Sequence, residues 1–158
     1  MVIHCLIRYP VTMKIREQEQ IILVRLERGE DVIQSLLQLA AHHNITGAMF
    51  HGLGGASAAT LGIYRLSEDK AYHYTNFDGD LEIISINGNI ATDEAGQHMV
   101  HAHATISGND LQAYGGHVDE LIVAGTCEIL VDLRTGPLSR KQDDEIGLKL
   151  LDLDNESA

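Results

Sequence analysis

The sequence predicts an α+β domain: a curved, mostly antiparallel β-sheet or open barrel with a few flanking helices. Three observations lead there. Short apolar or β-branched runs recur along the chain with turn residues between them. One segment carries a helical apolar stripe with capping residues at both ends. The length of 158 residues has room for one core but hardly two.

Residues 1–12 read as an extended N-terminal arm, 13–153 as the domain and 154–158 as an acidic C-terminal tail. Ile21 to Leu26 is a strand rich in β-branched residues, and Glu27 to Glu30 turns the chain. Asp31 is placed to N-cap a helix from Val32 to His43, whose apolar side holds Val32, Ile33, Leu36, Leu37, Leu39 and Ala40. His42 and His43 end that helix near the negative end of its dipole, as surface residues, and Asn44 suits a left-handed C-cap. Ile45 to Leu53 reads as a buried strand. Further strands follow at Ala58 to Leu66, Ala71 to Phe77 and Leu81 to Ile90, with turn signals at Asp78-Gly79 and Asn87-Gly88. Met99 to Ser107 and Leu121 to Leu133 continue the series. Leu148, Leu150, Leu151 and Leu153 supply a terminal strand.

The charge balance narrows the function classes. Eleven Lys and Arg face 23 Asp and Glu, a formal charge of -12. That field repels phosphate backbones and acidic membranes. Lys14, Arg16, Arg25 and Arg28 are dispersed among acids. Arg134, Arg140 and Lys141 adjoin an acidic stretch and read as solvated surface. Two cysteines, Cys5 and Cys127, make no disulfide framework and are expected as reduced thiols. The opening residues lack a signal-peptide pattern, and no window approaches the ~20 apolar residues of a membrane span. A soluble, cytoplasmic protein is expected.

Four of the nine histidines lie between His98 and Glu120. In Val100-His101-Ala102-His103-Ala104 read as a strand, side chains two apart share a face, so His101 and His103 point together. Gly115-Gly116-His117 offers a third imidazole, brought back against the strand by a tight diglycine turn. Three imidazoles and a water would suit zinc. The plainer alternative is two ordinary strand histidines and one in a loop. His98, three residues before His101, faces the other way and stays outside the set. His51, beside Gly52, reads as a strand-end residue at the edge of a pocket.

The run H-A-H-A-T-I-S-G-N-D followed by G-G-H-V-D-E-L-I-V-A-G-T-C-E-I resembles the plants-and-prokaryotes-conserved (PPC) domain. Gly29-Glu-Asp31, H-G-L-G-G-A-S-A-A-T-L-G-I-Y at 51–64, G-D-L-E-I-I-S-I-N-G-N-I at 79–90 and the ending S-R-K-Q-D-D-E-I-G-L-K-L-L-D-L agree with it. The resemblance spans about Met13 to Leu153. It implies an antiparallel sheet with flanking helices assembled as a homotrimer, whose contacts would cover apolar β surface. It also implies a metal, usually zinc, on His101, His103 and His117. Plant members precede the domain with AT-hooks of Arg-Gly-Arg-Pro core, and none occurs here. Their partner-binding Gly-Arg-Phe-Glu-Ile-Leu corresponds to Gly79-Asp80-Leu81-Glu82-Ile83-Ile84, where the Arg and Phe are replaced.

Two functions stand on this reading. The first is a metal-binding homotrimeric interaction module, linked to DNA or regulation through a partner; direct DNA binding is disfavoured because the chain lacks a cationic cluster. The second is a zinc enzyme, a lyase or hydrolase acting on a small carbonyl or carboxylate compound. Acetolactate decarboxylases have a related fold and a similar H-x-H…G-G-H arrangement. Glu82 and Glu128, each in an apolar strand, are candidate bases or holders of a histidine N–H, with a solvated outer face as the simpler reading. Gly52-Leu-Gly-Gly55 lacks the spaced third glycine and the βαβ unit of a nucleotide loop, and predicts a sheet bend.

Overall fold

The structure, a computed structural model, describes residues 12–153. Most of the expected N-terminal arm, Cys5 included, and the tail 154–158 lie outside the described residues. The elements are β1 (Lys14–Gln18), β2 (Ile21–Glu27), α1 (Val32–His43), β3 (Ala48–Tyr64), β4 (Tyr72–Asp93), β5 (His98–Ser107), β6 (Ala113–Asp132), β7 (Ser139–Asp143) and β8 (Leu148–Asp152). They form one sheet in the order β1-β2-β6-β3-β4-β7-β8, and β5 pairs with both β4 and β6. Because β4 and β6 also flank β3, the sheet curls on itself. The remaining strands lie outside that ring, so the result is a curved sheet and not a clean barrel. All named pairings are antiparallel except a short parallel bridge of β4 to β7, Thr92 with Ser139 and Asp93 with Arg140.

Sequence patterns account for much of this. Asp31 Oδ1 accepts the Gln34 N–H at 2.7 Å, and Asp31 Oδ2 accepts the Leu121 N–H at 3.1 Å. The expected N-cap therefore also pins α1 to β6. Asn44 closes the helix in the left-handed region at φ 52°. Val32, Leu36, Leu39 and Ala40 of α1 are buried and share one core with Ile86, Ile90, Ala104 and Val123. Burial of each large aliphatic side chain there stabilises the fold by roughly 1.5–3 kcal/mol.

Three expectations are corrected. The segments 45–66 and 71–90 are not four strands but two long ones, β3 and β4. Bulges between Gly52 and Gly54 and between Ala56 and Ala58 bend β3 without ending its pairing. Asn87-Gly88 is no turn either: it pairs with His51 and Phe50 inside the β3–β4 ladder. Among the described residues α1 is the one α-helix, where a few were expected. β1, uniformly exposed, and β7 carry no alternating pattern and escape a sequence reading.

Cys127 is a buried free thiol whose pKa burial pushes up to about 12, so it stays protonated and unreactive. No described helix is long and apolar enough to cross a membrane.

Candidate metal centre

The two faces of β5 separate cleanly. Ala102, Ala104 and Ile106 point into the core beneath α1. His101 and His103 point the other way, His101 half-buried and His103 exposed. The chain turns at 108–112, where the Leu111 N–H donates to the Gly108 carbonyl at 3.0 Å and Asp110 accepts from the Gln112 N–H at 3.1 Å. β6 then runs back antiparallel with His117 opposite His103.

Gly115-Gly116 is therefore strand and not the tight turn that the sequence suggests. Its glycines serve close approach: a Cβ on Gly116 would stand 2.8 Å from the Gly62 carbonyl oxygen of β3. A Cβ on Gly88 would collide with the His101 carbonyl oxygen and the Phe50 ring. These two positions let β6 and β4 press against their neighbours where the histidines lie.

One ring nitrogen from each of His101, His103 and His117 lies within 4.8 Å of the others. The ring centroids are 5.2 Å apart for His101–His103 and His101–His117, and 5.6 Å for His103–His117. Tyr72 stacks on His117 at 4.5 Å. His117 Nδ1 is buried with no hydrogen-bond partner. Burial, then the charge of Arg140 and the other two histidines, pulls the His101 pKa down to about 4. Burial likewise lowers that of His117, with Asp119 opposing. Both rings are neutral at pH 7, the form in which imidazole ligates a metal.

The site also contains residues that sequence reasoning missed. Arg140 is 7% exposed, a correction to its reading as solvated surface. Its Nη1 donates to the Lys149 carbonyl at 2.7 Å. Its Nη2 donates to Asn89 Oδ1 at 3.0 Å and meets His101 Nδ1 at 3.0 Å. Asn89 is the cross-strand partner of His101 on β4. The Ser-Arg-Lys of the chain's ending was the available signal, but burial of the middle residue needs the β4–β7 bridge. Asp119, two residues beyond His117, is the carboxylate that acts on that ring.

The other candidates fall elsewhere. Glu82, exposed, pairs with Ser107 at the far end of β5. Glu128, also exposed, pairs with Arg25 and Leu53 and shares a groove with His51, Leu23 and Leu53. His98 pairs with Thr92 at the start of β5 and is not one of the three.

Three converging imidazoles fit a borderline divalent ion such as zinc by donor chemistry, and His117 carries a buried ring nitrogen with no hydrogen-bond partner. Fold and site thus define a β-domain, with one helix among the described residues, that gathers a histidine triad on the outer face of a curled sheet. The sequence profile of the Plants and Prokaryotes Conserved (PCC) domain matches residues 13–133, and the chain belongs to this family. A candidate DNA-binding protein from Ralstonia eutropha is 35% identical, with 89% of this chain and 96% of that one covered and a TM-score of 0.81. A metal-containing protein from Archaeoglobus fulgidus is 26% identical, with 87% and 96% covered and a TM-score of 0.74. An acetolactate decarboxylase from Bacillus subtilis, 13% identical over 70% of this chain and 50% of that one, shares the fold at a TM-score of 0.52. No curated protein sequence matches.

Proposed function

We propose that this chain is a metal-holding interaction module: His101, His103 and His117 bind a divalent transition metal, zinc first, within a homotrimer. The observation that carries the proposal is the approach of three ring nitrogens to within 4.8 Å, from two strands whose register sets them opposite one another. The metal-containing relative from Archaeoglobus supports it. A divalent ion on three neutral ligands would keep its full charge and could polarise a carbonyl or acidify a water. Of the chain's own residues, Tyr72 fixes the His117 ring by stacking.

The homotrimer has support in exposed apolar side chains on the β1–β2–β6–β3 surface. Leu23, Met49 and Leu53 are 45%, 45% and 56% exposed, more than an isolated sheet face comfortably leaves in water. Association with DNA is assigned to a partner, because a net charge of -12 opposes contact with phosphates. A reducing, cytoplasmic setting agrees with the buried free thiol of Cys127.

The enzyme reading is kept for one reason: His103 leaves the triad open to solvent. It ranks second because, among the described residues, the group of converging side chains holds three histidines and no carboxylate, Asp119 acting on His117 only through its charge. Element analysis of tag-free protein, with light scattering, tests the proposal. The expected result is close to one metal per chain in a particle of three chains. Metal-free monomers would overturn it. A gel shift at low salt is expected to show no DNA binding by the isolated protein.

A further inference from the structure

The Arg140–His101 contact decides more than orientation. A guanidinium has donors and no acceptor, so in this hydrogen bond His101 Nδ1 accepts and carries no proton. A neutral imidazole with a bare Nδ1 carries its proton on Nε2. His101 in this arrangement therefore has no lone pair to offer a cation. A metal at Nδ1 would have to displace Arg140 Nη2. A metal at Nε2 would send the proton to Nδ1, which would then face Nη2 donor to donor. Either route breaks the contact.

Among the described residues Arg140 has no carboxylate partner. It is 7% exposed. Its Nε is buried without an acceptor. Buried charges are ordinarily paired. Once His101 is surrendered, Nε–H and one Nη2 hydrogen are unanswered donors, while Nη2 still donates to Asn89 and Nη1 to the Lys149 carbonyl, which hold the guanidinium beside the triad.

We propose that Arg140 is both a latch on the metal-free site and its anion receptor: metal loading frees it from His101, and the freed guanidinium edge takes a small carboxylate ligand. The proposal rests on the metal reading above. Arg134 shows the same edge at work in this protein, with Nε 2.9 Å from Asp132 Oδ1 and Nη2 bonded to the other oxygen. A two-donor edge on a single cation matches a monocarboxylate. A multiply charged phosphate would meet one buried cation within a chain of net charge -12.

Two experiments test this. Long-range proton–nitrogen NMR of the metal-free wild-type protein is expected to show His101 with its proton on Nε2 and to lose that pattern on zinc loading. A proton on Nδ1 in the metal-free state overturns the latch, with no variant involved. Cobalt-loaded wild type, Arg140→Gln and Arg140→Lys are then titrated with acetate and, separately, with inorganic phosphate, following the visible cobalt bands. Acetate is expected to bind wild type at least about tenfold more tightly than Arg140→Gln, the loss of one charged hydrogen bond. Arg140→Lys should fall between them. Without acetate, Arg140→Gln should take up cobalt as well as wild type or better. Weaker cobalt uptake by Arg140→Gln with unchanged acetate affinity overturns the inference and makes Arg140 a mere support for His101. A response to phosphate but not acetate overturns the carboxylate assignment. If wild type takes up no cobalt at all, the metal reading fails together with the inference. Normal uptake with equal acetate binding in all three proteins sinks the inference alone.

Discussion

On one face of β5, Ala102, Ala104 and Ile106 are almost wholly buried against the core. On the other, His101 and His103 stand with His117 around orphaned or competed nitrogens. The first face is satisfied as it stands, because apolar atoms need only neighbours. The second is not: it gathers three imidazoles and a guanidinium with no carboxylate partner among the described residues, an arrangement that does little for an isolated fold. One strand thus carries stability on its core side and, in the proposed function, binding on its outer side, and substitutions on the two sides should fail in different ways.

Ile106→Ala is expected to show the largest loss of stability, about 2–5 kcal/mol in denaturant unfolding, from lost burial and the cavity left behind. Its folded fraction should keep the wild-type metal content. His117→Ala should do the reverse. Zinc affinity measured by competition with a chromophoric chelator should drop at least about a hundredfold, while unfolding without metal shifts by less than about 1 kcal/mol. If His117→Ala unfolds the metal-free domain as severely as Ile106→Ala, the division between the two faces is wrong.

Asp31→Ala acts on the core side through a cap. It removes acceptors from Gln34 and from Leu121, and should lower stability by about 1–2 kcal/mol without touching metal content. A further effect is one of pH. The folded, metal-free protein holds His101 at about 4 against an ordinary 6.5. Between those values the unfolded chain binds a proton that the folded chain refuses, so stability rises as pH climbs through that window and is lost as pH falls. Unfolding midpoints measured across the window should follow this slope, and His101→Gln should flatten it.

The sequence makes the core face and two of the three candidate ligands legible because both follow local rules. His101 and His103 share a face by the two-residue period of a strand, and α1 is marked by Asp31 and Asn44 at its ends. His117 does lie beside them, but by antiparallel register and not by a turn, and Gly115-Gly116 permits strand contact. Arg140 and Asn89 were invisible because their meeting depends on a two-residue bridge between β4 and β7, across 46 positions of sequence from Thr92 to Leu138 in its nearest hydrogen bond. β3 and β4 were divided because Gly and Ala, which usually interrupt a strand, here mark bulges within one.

The most direct measurement is X-ray absorption at the zinc edge of the loaded protein. Three imidazole nitrogens at about 2.0–2.1 Å, one fewer in His117→Ala, is the predicted result. A sulfur shell near 2.3 Å, or a spectrum that the His117 substitution leaves unchanged, would contradict it.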